Sequence, residues 1–422
     1  MKDSFERRYK REPVIRKDER IIEDIQKVKT NLINLIKNNP NRPAAMAYYD
    51  EIILGDKRED ELKNLKNKVI GTFCYFVPEE LIWGVGCISV RLCSGFFETI
   101  TPAEEVLPRD ICPLIRSTFG CKVEGIGYFN LCSLIVLPTT CDGKKKLGEY
   151  ISDYLPVLTL NLPNIKTYDM AKEMWNKEIK VLKSKLEEFS RTKITRKNLE
   201  YWIKLFQKRS KLFRSIYELR KTNPRIISHR DFLIMVQSSF YDDINRWIEK
   251  TQVLYDELVE KSKQKNSFNG EKLLITGAPI IFPNFKILNV IEDLGALVVV
   301  DELCSGTQRL WDYAEPDEWT MEGMLESIAT RYLLPSTCPC FTTSYDRIDK
   351  LLTMVDEFKV DGVIYHDLRL CQLFDMERNL VTKILKDKNI PVLTIHTEYS
   401  QEDTEQIKTR IEAFLEMIRS KA

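Results

Sequence analysis

The eleven cysteines are spread so unevenly that their placement limits what this chain can fold into. Seven fall in the 68 residues from Cys74 to Cys141, and four in the 68 residues from Cys304 to Cys371. The 162 residues between those windows contain none. Thiols that only fill a core would scatter. Two windows with a thiol-free stretch between them imply two units that each present cysteines, joined by a segment with another task.

The hydrophobic pattern agrees with that division. Residues 1–66 read as an N-terminal helical segment, with Ile21, Ile25, Val28, Leu32 and Ile36 at spacings of three and four. Residues 170–267 read as a helical connection. Its first helix runs through Trp175, Ile179, Leu182 and Leu186, with Asp169 as the expected cap, and a second through Leu205, Leu212 and Ile216. Pro224 breaks this run, and a further helix passes through Trp247 and Leu258.

The cysteine windows have a different rhythm. In residues 67–169, strands are expected at Val69–Phe73, Ile88–Leu92, Leu134–Leu137 and Val157–Leu162, with helices between. In residues 268–422 they are expected at Leu273–Thr276, Ala296–Val300, Gly362–Tyr365 and Pro391–Thr394. Strands alternating with helices imply parallel sheets. The fold class is therefore α/β, with two similar doubly wound parallel-sheet domains. In each, the cysteines follow the carboxyl ends of strands, which is where open α/β sheets place their ligands.

Composition removes several function classes. With 64 Lys+Arg against 63 Asp+Glu, the formal charge is +1, which argues against a nucleic acid or an anionic membrane as a mainly electrostatic partner. The longest apolar runs are too short to span a bilayer, and Met1–Arg20 lacks the apolar core of a secretory signal. A cytoplasmic protein is expected, and there disulfides are rare. Its thiols are then metal ligands, redox groups or buried packing residues. Only His229, His366 and His396 are present, which argues against a His-rich zinc site. No CxxC pair exists, and the one close pair is Cys338-Pro339-Cys340. Thiolates without nearby imidazole suit iron–sulfur clusters or zinc. The candidate ligands are Cys93, Cys112, Cys141, Cys304, Cys340 and Cys371, with cluster, zinc or redox, and inert-thiol readings all open. There is no GxxxxGK[ST] loop, and Gly84-Val85-Gly86 opens no GxGxxG. Asp142-Gly143-Lys144-Lys145-Lys146 reads as a solvated basic turn, ahead of an anion site at a helix start.

Several strings then carry a family likeness. Gly71-Thr72-Phe73-Cys74-Tyr75-Phe76-Val77-Pro78, Cys112-Pro113-Leu114-Ile115-Arg116-Ser117 and Thr139-Thr140-Cys141-Asp142-Gly143-Lys144-Lys145-Lys146 resemble the 2-hydroxyacyl-CoA dehydratase and benzoyl-CoA reductase family. So do Asp301-Glu302-Leu303-Cys304-Ser305-Gly306, Cys338-Pro339-Cys340, the stretch from Val360 to Cys371, and Thr397-Glu398-Tyr399-Ser400. The likeness spans roughly residues 67 to 415 and looks nearest to the double-cubane cluster proteins within the family.

The resemblance implies an iron–sulfur cluster between two α/β domains, either a single 4Fe-4S or a double-cubane 8Fe-9S cluster. It implies low-potential electrons from a separate ATP-hydrolysing iron–sulfur activator. The substrate would be a small molecule to be reduced, or a 2-hydroxyacyl-CoA type compound to be dehydrated reductively. A double-cubane protein would be a homodimer; a dehydratase would pair with a related, unlike subunit. Ligands carry over best at Cys112, Cys141 and Cys371. A second set would draw on Cys304, Cys340 and Cys93, with Cys338 and Cys74 in reserve and Cys121 and Cys132 as packing thiols. His366 is the candidate proton donor, although a histidine on a strand end is more often structural. Ser117, Glu302, Glu398 and Tyr399 read as structural residues near presumed ligands. Two rival readings stand beside this one: a non-catalytic electron-transfer or cluster-carrying protein, and a thiolate zinc protein.

Overall fold

The computed structural model describes residues 11–65, 68–263 and 268–420. β1 (Val69–Thr72), β2 (Ile88–Arg91), β3 (Leu134–Pro138) and β4 (Val157–Leu160) form one sheet, in the order β2-β1-β3-β4 with every pair parallel. β5 (Lys272–Gly277), β6 (Leu297–Glu302), β7 (Gly362–Leu368) and β8 (Val392–Thr397) form a second parallel sheet, in the order β6-β5-β7-β8. The winding is the same in both, so the molecule is α/β with two similar domains. β1, β3 and β7 are buried along their whole length, as strands covered by helices on both faces must be.

All eight expected strands are present, with ends shifted by a few residues. β7 continues past Tyr365 to Leu368 because its polar residues find buried partners. His366 Nδ1 lies 3.0 Å from the Ala278 carbonyl oxygen, and the Asp367 carboxylate accepts from Arg378 at 2.8 Å.

The N-terminal helix Glu19–Lys37 starts at Asp18, whose side chain accepts from the Arg20 amide, and it buries Ile25, Leu32, Ile33 and Ile36. The connection is four helices: Asp169–Ser190, Arg196–Thr222, His229–Ser238 and Ile244–Ser262. Thr195, Ser228 and Asp243 cap the last three. Asp169 does not cap the first. It is the first helical residue, Tyr168 takes the cap position, and no side-chain bond closes that end.

These helices hold the two sheets in place. Leu32, Ile36, Phe213 and Trp247 share one core with Leu273 and Ile275 of β5. Tyr75 and Phe76, beyond β1, share another with Trp175, Ile179 and Tyr332. At the centre, the buried Glu79 carboxylate accepts from Arg209 of the connection and from Arg309 beyond β6. A buried carboxylate left without such partners would be costly, so this triad fixes how the two halves face each other. Among the described residues, no helix is long and apolar enough to cross a membrane.

Candidate metal centre

In both sheets the strand order reverses beside the first strand of the unit, and open α/β folds bind ligands in the crevice at that point. Cys74 follows β1 and Cys141 follows β3, so the two thiols flank the crevice of the first sheet. Cys93 stands two positions after Arg91 at the end of β2, just as Cys304 stands two after Glu302 at the end of β6. Cys141 stands three positions after Pro138 at the end of β3, and Cys371 three after Leu368 at the end of β7. The match reaches the letters: Leu92-Cys93-Ser94-Gly95 and Leu303-Cys304-Ser305-Gly306 are the same tetrapeptide. This repeat is visible in the sequence, and reading cysteines singly misses it.

Three thiols also sit at helix starts. Cys112 is the cap residue of helix Pro113–Val123, Cys141 that of Asp142–Ile151, and Cys371 that of Gln372–Asp387. No side-chain cap hydrogen bond closes any of these three helix starts, so the first-turn amides beside the sulfurs are left free. Free amides and the positive helix end favour a thiolate over a thiol.

The thiols converge on one cavity of about 590 Å³ between the sheets, lined by Cys74, Cys112, Cys141, Cys304, Cys338 and Cys371. Cys112 and Cys371 act on one another: the Cys371 thiol holds Cys112 below the ordinary thiol range, and Cys112 pushes Cys371 well above it. Cys338 and Cys340 form a second such pair, with Cys338 brought down to about 7 by the Cys340 donor. Burial pushes the Cys304 thiol up to about 12. Cys93 borders a smaller cavity of about 80 Å³ together with Arg91 and Tyr241. A groove of about 690 Å³ along helix Met321–Leu333 is larger, but it is lined by carboxylates such as Glu315, Asp317 and Glu318 and contains no thiol.

Two cations stand among these sulfurs. Lys144 is not part of a solvated turn: its Nζ donates to Cys74 Sγ, and Cys74, Cys141 and Cys93 hold it in the charged form despite burial. Lys145 and Lys146 do point to solvent, where they pair with Asp142 and Glu149. Arg91 is 2% exposed, donates to the Cys304 carbonyl oxygen at 2.9 Å, and lies 3.8 Å from Cys304 Sγ. Cys74 itself adopts a left-handed backbone at φ +59°, a conformation uncommon without glycine and frequent at functional sites. The sequence put Cys74 in reserve, yet it accepts from Lys144 and lines the same cavity as Cys141 and Cys304. Its position directly after β1, at the crevice, was the available signal.

The remaining candidates have other surroundings. His366 is 4% exposed, and burial lowers it to about 4, so it is neutral at pH 7 and bound to Ala278. Glu302 is fully buried and accepts from Thr276, Gln308, Thr337 and Arg347. Arg347 in turn donates twice to the Thr337 carbonyl, at 3.0 and 2.8 Å, which anchors the loop that carries Cys338. Ser117 donates to Ser94 Oγ at 2.8 Å. Glu398 lies 3.6 Å from Arg369 in an ion pair. Tyr399 is 3% exposed, in a core against which Cys112, Cys93 and Cys371 pack. Cys121 is bonded to Ser94 and Cys132 to the Tyr128 carbonyl, and burial raises both thiols. Away from the thiols, ligand atoms of Asp367, Asp375 and His396 lie within 4.8 Å of one another, but Arg378 already bonds both carboxylates.

The donor set fits a thiolate-bound iron–sulfur group. All eleven cysteines are free, six of them face one cavity, and the buried Tyr399 hydroxyl and Arg91 Nε have no hydrogen-bond partner among the described residues. Soft ligands, two cations and orphaned donors are what a sulfur-rich anionic group requires.

Residues 74–418 match the family described as 2-hydroxyglutaryl-CoA dehydratase, D-component. The chain is 32% identical to the protein named "Putative dehydratase subunit YjiM" of Escherichia coli (strain K12) over 85% of its own length and 93% of that protein. It is 24% identical to the (R)-phenyllactyl-CoA dehydratase beta subunit of Clostridium sporogenes, over 83% of this chain and 92% of that one. It is 21% identical to a benzoyl-CoA reductase component of Thauera aromatica, over 88% of this chain and 96% of that one. The match over most of its length shows that the chain belongs to the 2-hydroxyacyl-CoA dehydratase and benzoyl-CoA reductase family.

Proposed function

We propose that this chain is an iron–sulfur protein that takes low-potential electrons from a separate ATP-hydrolysing activator and uses them on a small molecule or a 2-hydroxyacyl-CoA type substrate. One observation carries the reading: thiols from both sheets, three of them at helix starts, meet in one cavity. Cys112, Cys141 and Cys371 are assigned as ligands, with Cys304, Cys340 and Cys93 completing a second set and Cys74 and Cys338 close enough to replace members of it. A bound iron–sulfur group would supply electrons singly at low potential. The chain's own residues do the rest. Helix amides and the charges of Lys144 and Arg91 stabilise the thiolates. Ile115, Leu114, Pro279 and Phe374 keep the walls apolar and limit water at the sulfurs.

The open cavity favours an enzyme over a cluster carrier, because about 590 Å³ is within the size range of small-molecule sites. A partner subunit, either a second copy or a related chain, is consistent with relatives that are named as subunits. The test is iron and acid-labile sulfide per chain after anaerobic purification. Roughly eight irons assign a double-cubane cluster and small-molecule reduction, and roughly four a single cube and acyl-CoA chemistry. A colourless, iron-free protein overturns the proposal and leaves zinc as the metal to assay.

A further inference from the structure

Tyr399 holds a position that neither the fold nor local packing accounts for. It follows β8, its side chain is 3% exposed, and its hydroxyl has no hydrogen-bond partner among the described residues. A buried phenol usually finds an acceptor, because an unmade hydrogen bond costs about 1–3 kcal/mol. Its ring sits in a core with Leu114 and Phe374, and Cys112, Cys93 and Cys371 pack against that same core, the last two from strand ends of different sheets.

The backbone that carries the ring is tied down. Asn284 donates to the Tyr399 carbonyl at 3.2 Å. The buried Lys286 ammonium donates to the carbonyls on either side, at Glu398 and Ser400, and to Thr397 Oγ1 at 2.8 Å. Asp403 closes the same clamp. Such fixing costs the folded state two buried polar groups, and it holds one hydroxyl at one place. The corresponding position after β4 is Leu162, so the fold itself does not need an oxygen there.

We propose that Tyr399 is a positioning residue whose O–H donates to sulfur of the group held by Cys112, Cys141 and Cys371, and so raises its reduction potential. The inference rests on the iron–sulfur reading above. A donor to sulfur stabilises the more negative, reduced state, which is how surroundings tune such centres.

The test compares the wild-type chain with Tyr399→Phe and with the control Tyr365→Phe, each purified anaerobically. Tyr365 is also a buried phenol, but it is already bonded to the Phe374 carbonyl at 2.9 Å. Iron per chain is measured first. Midpoint potentials follow from a dye-mediated titration monitored by electron paramagnetic resonance, along with the coupling of an exchangeable proton to the reduced centre in H2O and D2O. The expected result is unchanged iron in all three proteins, a lower midpoint for Tyr399→Phe alone, and loss of one exchangeable-proton coupling in that variant alone. Equal potentials and couplings at equal iron overturn the inference and leave the iron–sulfur reading intact. Iron loss confined to Tyr399→Phe also overturns it, by making the residue a support for assembly. A wild-type chain without iron overturns the iron–sulfur reading, and this inference falls with it.

Discussion

Cys112, at the start of a helix of the first domain, and Cys371, at the start of a helix of the second, line the same cavity. Neither domain can build this pairing alone. Cys112→Ala and Cys371→Ala are each expected to lose iron, whereas Cys132→Ala, whose sulfur is bonded to the Tyr128 carbonyl, should keep the wild-type content. Cys74→Ala is expected to behave like the first two. Iron and sulfide assays on the four variants decide this, and full iron in Cys74→Ala would return that residue to a packing role.

Lys144 supplies a fixed positive charge beside Cys74, Cys141 and Cys93. A unit charge some 6 Å from a redox centre, at an effective dielectric of about 20, is worth roughly 3 kcal/mol, on the order of 100 mV for one electron. Lys144→Met should therefore lower the midpoint potential by that order, while Lys146→Met, on the solvent side of the same helix, should not move it. Redox titration of both variants is the measurement.

Arg347 joins Glu302 to the carbonyl before Cys338. Removing one partner of a buried ion pair typically costs about 3–5 kcal/mol. Arg347→Met is expected to lower the urea midpoint of unfolding accordingly. It should also make Cys338 react faster with iodoacetamide in the iron-free protein, because its loop loses two anchoring bonds. An unchanged alkylation rate would mean that other contacts hold the loop.

Burial depresses His366 from 6.5 to about 4. The unfolded chain then binds a proton at a higher pH than the folded one. The contribution to stability is full above about 6.5 and is lost as the pH falls towards 4, by about 3 kcal/mol at most. His366→Gln, which can still donate to Ala278, should flatten the fall in stability over that window in urea titrations. A wild-type slope in the variant would assign the acid sensitivity to other groups.

Much of the fold was legible because most of its strands are buried on both faces and read as short apolar runs between helices, β4 and β8 at the sheet edges excepted. The strand ends were less so, since β7 runs on through His366 and Asp367, whose buried partners come from distant residues. At the site, cysteine placement gave six candidates, and the family strings singled out Cys112, Cys141 and Cys371. Lys144 was not separable from Lys145 and Lys146 by composition. Each residue turns a helix by about 100°, so one lysine of three faces the sulfurs and the others face water. The Tyr399 hydroxyl and the Nε of Arg91 matter through what they lack, an acceptor, and that appears only when the chain is folded.

The repeated Leu-Cys-Ser-Gly loops give the molecule a mechanical character. Two near-copies of one unit, placed face to face, act like the jaws of a vice whose grip is the space between equivalent loops. Glu79, Arg209 and Arg309 are the screw that sets the opening. A change of a few tenths of an ångström there would reach the cavity thiols together, because those sulfurs are divided between the two jaws.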